Sequence, residues 1–401
     1  MSKLDTLKYD LVIVGAGMIG ATQAIALSKL GLKIALIEKN HFKQHNDVLS
    51  EEPDVRISSL SKGTIDFLDS LGIFSEILKR RATPYSLLSV WEKNFTPVQF
   101  SAKEIAQDYL GFMVENDILQ SSLNTLIANI INIDVFDHCE IIAINEFAYK
   151  HGVNITLKNQ SSETLTIDSK LVIGADGAQS FTRKLASISS HGWDYHQSCM
   201  LLICKTDSKQ NNITWQEFTP NGPRAYLPLH DDWVSLVWYD DSNTLKSLNE
   251  LNLNTLKVKV MSAFPNQIGN ITIFKKALFP LRRMHADHYF KGAVVLIGDA
   301  AHTINPLAGQ GANIGFKDVE ILTEIIAEAF QNGSMWYSNE ILKIYEQKRK
   351  KENLLMQTTM DMLYFTFSNN FGPLKLLRNF AFKRIDSHIL LKKILLHYAI
   401  K

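Results

Sequence analysis

The sequence has few cysteines, and their spacing is uninformative for metal or redox chemistry. Three cysteines, Cys139, Cys199 and Cys204, occur among 401 residues. They form no CxxC pair and no group with metal-ligand spacing, which argues against a redox-active dithiol and a cysteine metal site. An odd, sparse set of thiols is typical of a reducing compartment, where cysteines serve as small buried apolar residues.

The chain also lacks an excess of charge of either sign and long apolar runs. The chain has 42 basic and 41 acidic residues and a formal net charge of +1. Without a domain-wide basic excess, the composition argues against a nucleic-acid partner. No apolar run reaches the roughly 18–20 residues that cross a bilayer, and the N-terminus lacks the pattern of a secretory signal. These absences predict a cytoplasmic protein.

The N-terminal segment has the pattern of a βαβ unit. Residues 10–14 form a short apolar run that ends in glycine, which predicts a buried strand. Residues 19–30 show helical spacing of small and apolar residues and end at Gly31, a typical helix stop. Residues 33–38 predict a second buried strand, so strand, helix and strand follow one another directly.

Later segments predict a second, inserted layer. Apolar strands at 171–173 and 293–297 flank a stretch, 199–240, whose alternation and turn signals predict antiparallel strands. After Gly311 the pattern is helical. We therefore predict an α/β protein in three parts: a discontinuous cofactor domain (1–75, 101–180 and 276–330), a substrate-binding sheet domain (76–100 and 181–275) and a C-terminal helical region (331–401).

A glycine-rich turn follows the first strand. Gly15, Gly17 and Gly20 fit the GxGxxG pattern, and Glu38 ends the next strand. In this pattern the first glycine allows a tight turn, the second lets backbone approach a pyrophosphate, and the third lets the helix pack on the strand. The helix start offers unpaired N–H groups to phosphate, and Glu38 can accept hydrogen bonds from an adenosine ribose. The motif predicts a dinucleotide, but FAD and NAD share its adenosine half.

The segment from Val295 to Asn313 favours FAD. A buried strand delivers Asp299 at its end, and a carboxylate there suits the hydroxyls of a ribityl chain. A glycine-rich turn follows and opens a helix near Gly311. The positive end of that helix would favour the negative charge that a reduced flavin carries.

Three stretches, GAGMIG, GADGAQSFTR and GDAAHTINPLAGQGAN, resemble the three motifs of the class A flavoprotein aromatic hydroxylases. The resemblance implies a para-hydroxybenzoate hydroxylase-like fold, with a Rossmann-like FAD-binding domain and an inserted antiparallel sheet. Beyond the GxGxxG residues, it implies FAD contacts at Arg56, Gln120, Asp176, Gly177, Arg183, Gly298, Asp299, Pro306, Gly309, Gly311 and Asn313. Pro306 and His302 would lie near the isoalloxazine. His302 is not assigned as a catalytic base, and the catalytic residues stay unknown.

The same resemblance implies the reaction. We find no second GxGxxG domain, no metal constellation and no nucleophile elbow. The cofactor must then carry the chemistry, with NAD(P)H or another reductant binding transiently. Members of this family hydroxylate an electron-rich ring with molecular oxygen through a flavin hydroperoxide. A dry pocket matters because this species otherwise collapses to hydrogen peroxide.

Six stretches are similar to the ubiquinone-biosynthesis branch of the family. This branch implies a polyprenyl quinol substrate such as 3-demethoxyubiquinol, and a complex with other ubiquinone-biosynthesis proteins. Other possibilities are a sibling hydroxylase acting at another ring position or on another phenol, a non-oxygenating flavin reductase, and a silent FAD-binding scaffold. The stretches are PDVRIS (53–58), GFMVEN (111–116), QSCML (197–201), TWQEFTPNGPRAYLPL (214–229), WVSLVWYD (233–240) and FSNN (367–370).

Two further features bear on the substrate. The predicted sheet is rich in aromatic residues, and we hypothesise that Trp215 and Tyr226 line a prenyl-quinol pocket. Residues 371–401 alternate basic and apolar side chains and suit a basic amphipathic helix. This tail could make peripheral contact with the inner membrane face, pack on the cofactor domain or bind a partner protein.

Overall fold

The structure, a computed structural model, describes residues 6–43, 50–93, 95–146, 152–210, 212–304 and 311–367. Two predicted cofactor residues, Pro306 and Gly309, lie outside the described residues, as does the tail of residues 371–401. Their roles stay predictions.

Strands and helices alternate in the N-terminal part, whereas strands dominate the middle and helices the end. The strands are β1 Leu7–Lys8, β2 Leu11–Val14, β3 Ile34–Ile37, β4 Ile57–Ser61, β5 Thr83–Tyr85, β6 Leu87–Glu92, β7 Val98–Ser101, β8 Gly111–Glu115, β9 Ile133–Phe136, β10 Cys139–Glu146, β11 Val153–Asn159, β12 Thr164–Ser169, β13 Leu171–Gly174, β14 Ser190–Thr206, β15 Ile213–Phe218, β16 Arg224–Pro228, β17 Trp233–Asp241, β18 Ile271–Ala286, β19 Phe290–Lys291, β20 Val294–Leu296 and β21 His302–Thr303. The helices are α1 Met18–Ser28, α2 Lys62–Ser70, α3 Ile73–Leu78, α4 Asn116–Ile127, α5 Phe181–Leu185, α6 Ser242–Glu250, α7 Leu253–Ala263, α8 Gly311–Gln331 and α9 Asn339–Phe367.

A largely parallel sheet positions the predicted motifs. Its strand order is β19-β20-β13-β2-β3-β9, and β2 pairs in parallel with both β3 and β13. All residues of β2, β3, β13 and β20 are buried, which explains their continuous apolar runs. The strands and helix predicted at residues 10–38 are confirmed. Because parallel strands end at one edge, the turns after β2, β13 and β20 meet there, as ligand sites of open α/β sheets do.

An eight-stranded sheet forms a second layer, in the order β21-β18-β14-β17-β16-β15-β6-β7. One face packs against α6 and α7 through an apolar cluster that includes Leu245, Leu256 and Val260. The other face packs against a three-stranded sheet, β4-β8-β5, through a cluster that includes Tyr85 and Met113. The predicted inserted antiparallel sheet is confirmed, although β15 and β6 pair in parallel.

The predicted domain boundary at 275/276 falls inside β18, because this strand continues without interruption from Ile271 to Ala286. One continuous strand therefore connects the predicted sheet domain to the last part of the predicted cofactor domain. The division into three parts remains a prediction.

The helices α8 and α9 follow the sheet domain, as the helical pattern predicts. Helix α8 crosses α1 closely, because a Cβ built on Gly315 would lie 2.7 Å from the Ile19 Cδ1 atom. Gly298 contacts the same isoleucine from the strand side, where its Cβ would lie 3.2 Å from Ile19 Cγ2. Within the described residues, no helix is long and apolar enough to span a membrane.

Candidate active site

The glycine-rich turn after β2 has a geometry that only small residues allow. Gly15 has φ +99°, and a Cβ there would lie 2.5 Å from the Ala175 carbonyl oxygen. A Cβ on Gly20 would lie 1.9 Å from the Gly15 carbonyl oxygen. Gly17 is exposed, and a Cβ there would meet no described atom within 4 Å. The turn is therefore closely packed against the protein at Gly15 and Gly20 and open at Gly17, where a pyrophosphate would approach.

This geometry predicts unequal effects of adding one methyl group. We expect Gly20→Ala to destabilise the apoprotein by about 1–3 kcal/mol, because overpacking against a backbone oxygen forces the turn to shift. Gly17→Ala is the matched control and should change the free energy of unfolding less, since its Cβ enters open space. Urea unfolding of both variants measures the difference. Equal stability of the two would contradict the packing role of Gly20.

The start of α1 is available to an anion. Its N-cap residue, Gly17, has no side chain, so no N-cap hydrogen bond satisfies the first N–H groups of the helix. Glu38 fixes the adjacent turn, because its Oε2 accepts from the Ala16 N–H (2.9 Å) and its Oε1 from the Asn40 N–H (2.9 Å). Each carboxylate oxygen keeps a free lone pair, so Glu38 can still accept from a ribose hydroxyl. Gln120 supports the turn from α4, as its Nε2 donates to the Ala16 carbonyl (2.8 Å).

The turn after β13 is held by Asp176. Its Oδ2 accepts from the backbone N–H groups of Phe181 (2.8 Å) and Thr182 (2.9 Å), and its Oδ1 accepts from the Ser180 hydroxyl. Gly177 has φ +78°, which glycine tolerates without strain. The carboxylate thus starts the short helix α5. A direct contact of Asp176 or Gly177 with a cofactor stays a prediction.

Arg183 connects the turns after β13 and β20. Its guanidinium is buried, with Nη1 donating to the Ala300 carbonyl (2.8 Å) and Nη2 to the Ala178 carbonyl (3.3 Å). Burial lowers its pKa, and Asp176 partly offsets that effect. Two backbone carbonyls, those of Ala300 and Ala178, accept from the guanidinium and hold it in this position. Arg183 therefore supports the turn after β20, and a direct contact with FAD stays a prediction.

The turn after β20 presents Asp299. Gly298 has φ +58°, and its N–H donates to Asp318 Oδ2 (2.9 Å). The Asp299 side chain is exposed, and among the described residues its carboxylate has no hydrogen-bond partner. Surrounding protein nevertheless raises its pKa by removing water, with a lowering effect from His302 and a raising effect from Asp318. An unpartnered carboxylate in a partly desolvated recess fits the polyol chain of FAD.

His302 lies behind this turn, buried within the protein. Its Nε2 contacts Asp318 Oδ2 (2.5 Å), and its ring stacks on Tyr289 with centroids 5.8 Å apart. The ring is 3% exposed and its Nε2 already has a partner, and a position near the isoalloxazine stays a prediction. This arrangement supports the turn and leaves His302 without a role as a base.

The first turn of α8 is attached to β4. The Asn313 side chain accepts from the Ser61 N–H (2.9 Å) and donates to the Ser59 carbonyl (2.8 Å), so its amide acts like an extra strand residue. Asn313 and Gly311, the first residue of α8, are predicted cofactor contacts, and the structure places both near the turn after β20. The Asn313 amide is occupied by β4, so its contribution is to fix the start of α8.

Arg56 is exposed at the end of the segment before β4. Its guanidinium lies 4.9 Å from the centroid of the Phe279 ring, and no hydrogen bond or ion pair to it is seen within the described ranges. The preceding backbone is fixed by Glu115, which accepts from the Asp54 N–H (2.8 Å) and is paired in bidentate fashion with Arg81 (2.6 and 2.9 Å). Arg56 is thus a positioned cation with free donors, as a phosphate or ring contact requires.

The hypothesis that Trp215 and Tyr226 line a substrate pocket is not supported. Both are 1% exposed and belong to the apolar cluster beneath α6 and α7, on the far face of the eight-stranded sheet. Alternation along β16 turns the neighbours of Tyr226, Ala225 and Leu227, toward β4 and β8 instead. The other face of the eight-stranded sheet carries Leu227 and Tyr239, and it packs against Tyr85 of the three-stranded sheet.

A stability experiment separates these two faces. Trp215 packs between Trp91 and Tyr226, with ring centroids 5.2 and 5.5 Å away. We expect Trp215→Ala to lower the free energy of unfolding by about 3–5 kcal/mol, as truncation of a buried aromatic does. FAD affinity of the folded variant should match the wild type. Urea unfolding and flavin titration test this. An unchanged free energy of unfolding together with lost FAD binding would indicate that Trp215 is part of the binding site.

Several residues that support the site were not predicted. Arg349, Asn353, Gln357 and Asp361 recur every four residues along α9, and all four are buried. Residues four apart share one helix face, so we call this set the α9 polar stripe. Asp318 of α8 is its main partner, fully buried at 0% exposure. The four-residue spacing of polar residues was the available sequence signal.

One further group of side chains has the separations of metal ligands. His41, Asp137 and His138 bring three potential ligand atoms within 4.8 Å of one another. His41 is exposed and already pairs with Asp137 (2.8 Å), as expected of a surface ion pair. We assign no metal to this group.

Comparisons with known proteins agree with this geometry. The pattern of the FAD binding domain family matches residues 8–358. The p-nitrophenol 4-monooxygenase PnpA from Pseudomonas putida DLL-E4 shares the fold, with a TM-score of 0.81, 16% identity and coverage of 98% of this chain and 99% of that one. PqsL, a probable FAD-dependent monooxygenase from Pseudomonas aeruginosa, has a TM-score of 0.76 at 17% identity and covers 90% of this chain and 97% of its own. The chain belongs to the FAD binding domain family and is an FAD-dependent monooxygenase.

Its relatives narrow the family further. It is 38% identical over 391 residues to 3-demethoxyubiquinol 3-hydroxylase of Escherichia coli (strain K12), and the match covers 98% of each chain. It is 30% identical over 440 residues to the mitochondrial ubiquinone biosynthesis monooxygenase COQ6 of Danio rerio, covering 98% of this chain and 90% of that one.

Proposed function

We propose that this protein hydroxylates the ring of a polyprenyl quinol, 3-demethoxyubiquinol, in ubiquinone biosynthesis. The observation that carries the proposal is its 38% identity, across 98% of both chains, to a relative named for that reaction. The match extends through the eight-stranded sheet as well as the FAD-binding motifs. Bound FAD, once reduced, supplies the activation of molecular oxygen for transfer to the ring.

The residues of this chain bind and orient the cofactor. The open turn at Gly17 and the uncapped start of α1 suit a pyrophosphate, and Glu38 lies beside the same turn. Asp299 offers an unpartnered carboxylate to the ribityl hydroxyls. Arg56, in the segment before β4, supplies a cation for which the described residues show no hydrogen-bond or ion-pair partner. Gly17, Glu38 and Asp299 lie at the edge of the parallel sheet where the turns after β2, β3 and β20 meet.

The apolar layer between the two sheets is suited to exclude water from the reacting ring. It joins Tyr85 and Met113 of the three-stranded sheet to Leu227 and Tyr239 of the eight-stranded sheet. The Tyr85 hydroxyl lies 3.0 Å from the Ser59 hydroxyl, whose backbone carbonyl accepts from Asn313. A quinol ring entering this layer would therefore lie close to the start of α8. Dry surroundings limit loss of activated oxygen as hydrogen peroxide.

Labelled oxygen tests the reaction type. Purified protein with FAD, reductant, demethoxyubiquinol and ¹⁸O₂ should yield a quinol with one ¹⁸O atom, detected by mass spectrometry. A non-oxygenating flavin reductase would consume reductant without labelled product. A catalytically silent scaffold would show neither result, so each alternative has its own signature.

A sibling activity at another ring position is the nearest alternative, since the COQ6 relatives at 30% identity also cover nearly the whole chain. Accumulated quinone intermediates in a deletion strain distinguish the two. Accumulation of 3-demethoxyubiquinone supports the proposed position. Accumulation of an earlier intermediate supports the sibling.

Partners and reductant are part of the proposal. We propose NAD(P)H as a transient reductant and other ubiquinone-biosynthesis proteins as partners. We also propose that the protein is cytoplasmic and contacts the inner membrane face peripherally through residues 371–401. Flotation with anionic liposomes, comparing the full chain with one that ends at Asn370, tests the membrane contact. Undiminished flotation after truncation would contradict a role for the tail.

A further inference from the structure

The turn after β20 is supported from beneath by a hydrogen-bonded network of buried charges. The Asp318 carboxylate accepts four hydrogen bonds: Oδ2 from the Gly298 N–H (2.9 Å) and His302 Nε2 (2.5 Å), and Oδ1 from Arg349 Nε (2.7 Å) and Asn353 Nδ2 (3.2 Å). Burial acts to raise the pKa of Asp318, but His302 and Arg349 outweigh it and lower the pKa. Asp318 is therefore a fully buried carboxylate in its charged form.

Arg349 connects this carboxylate to the start of α8. Its Nη2 donates to the Ile314 carbonyl (3.3 Å) and to Asn353 Oδ1 (2.7 Å), and Nη1 pairs with Glu352. Burial acts to lower the pKa of Arg349, but Asp318 raises it overall. One guanidinium thus contacts both α8 and, through Asp318, the turn that presents Asp299.

Gln357 holds the same turn at a second point. Its Nε2 donates to the Thr303 carbonyl (3.1 Å) and the Met284 carbonyl (3.0 Å), while its Oε1 accepts from His285 Nδ1 (3.0 Å). Asp361 continues the stripe away from the turn, pairing with Arg283 and Tyr195. The α9 polar stripe therefore holds residues 298–303 at both ends, through Asp318 at Gly298 and directly at Thr303. No α9 residue belongs to a predicted FAD motif.

We propose that the α9 polar stripe positions the FAD-binding turn, and that Arg349 and Asp318 set by their opposite charges how readily bound FAD is reduced. The proposal rests on FAD binding at Asp299, as proposed above. A charge held in a buried, poorly screened place acts on a nearby cofactor far more strongly than one in water. Removing the anion should therefore favour reduced FAD, and removing the cation should disfavour it. Arg349 and Asp318 are positioning residues, because they act through the turn.

Two opposite shifts are expected in the reduction potential of FAD bound to the full chain. In equilibrium titrations with a redox dye, Asp318→Asn should raise the potential and Arg349→Gln should lower it. FAD affinity should fall about tenfold or more in both, the size of effect that supporting partners have at metal sites. Arg349→Lys should restore the wild-type potential while keeping part of the affinity loss.

A matched control separates this effect from general destabilisation. Arg224 and Asp240 form another buried ion pair (2.9 Å), within the eight-stranded sheet. Arg224→Gln should weaken folding but leave the FAD potential unchanged. Gln357→Met covers the case in which Arg349→Gln does not fold, since it removes the Thr303 contact without burying a charge; it should lower FAD affinity severalfold at unchanged potential.

The outcomes are distinct. Shifts of one sign in both charge variants, or unchanged potential and affinity, would overturn the proposal while leaving FAD binding intact. Unchanged affinity in Gln357→Met would overturn the positioning role of the stripe. A folded wild-type chain that binds no FAD would overturn both this proposal and the proposed function.

Discussion

Replacing Asp299 by alanine is expected to weaken FAD binding by about tenfold to a hundredfold. The carboxylate has no described partner, and surrounding protein raises its pKa by removing water. Hydroxyl groups of a bound cofactor would therefore give this carboxylate hydrogen-bond partners that the described protein does not supply. A hydrogen bond to a charged group contributes about 1.5–3 kcal/mol, and each 1.4 kcal/mol is a tenfold change in affinity. Flavin fluorescence titration of the apoprotein measures the loss.

The control for this variant is Asp69→Ala. Asp69 is also an exposed carboxylate, but it lies in α2, away from the turn after β20. It should bind FAD like the wild type. Thermal unfolding without FAD should be nearly unchanged in Asp299→Ala, because the side chain makes no described hydrogen bond. Equal FAD affinity in Asp299→Ala and wild type would show that the carboxylate faces no cofactor.

Neutralising Asp318 is expected to cost about 3–5 kcal/mol of folding free energy at neutral pH, since removing one partner leaves buried charges uncompensated. Asp318 is 0% exposed and paired with Arg349 at 2.7 Å. The pKa of Asp318 is lower in the folded than in the unfolded protein. The stability that its charge contributes is therefore fully present above the unfolded-state pKa of about 3.9 and is lost as pH falls through the folded-state pKa. The difference between wild type and Asp318→Asn should therefore be constant near neutrality and shrink below about pH 4.

Urea unfolding across this pH range measures both quantities. Asp194→Asn is the comparison, because Asp194 pairs with Arg282 on the surface, where ion pairs contribute little. Its effect should be small at every pH. A pH-independent difference for Asp318→Asn would show that lost packing, and not lost charge, explains the destabilisation.

The sequence predicted the parts of the site that depend on local chemistry. Gly15 and Gly20 are recognisable because a tight turn between strand and helix excludes side chains, whatever surrounds it. The apolar runs of β2, β3, β13 and β20 likewise identify strands that are buried on both faces. The predicted residues at the ends of these strands therefore meet at one edge of the sheet.

For the residues that support these turns, the sequence could not predict where the side chains point. Arg183 and His302 lie within recognisable motifs, but the direction of each side chain depends on distant partners, the Ala300 carbonyl and Asp318. The sequence correctly predicts that Trp215 and Tyr226 lie in strands. Which face of the sheet they occupy depends on what packs there, and α6 and α7 cover their face.

The sequence by itself indicated a dinucleotide site and the buried strands around it, because glycine turns and apolar runs are constraints between near neighbours in the chain; the choice of FAD came from the resemblance of three motifs to one family. Only the tertiary structure decided which charges meet beneath the turn at Asp299 and which sheet face lies toward it. Arg349 lies far along the chain from Gly298, and their connection through Asp318 exists only once α8 and α9 have packed. Burial then makes that connection strong, because no water competes for the charges.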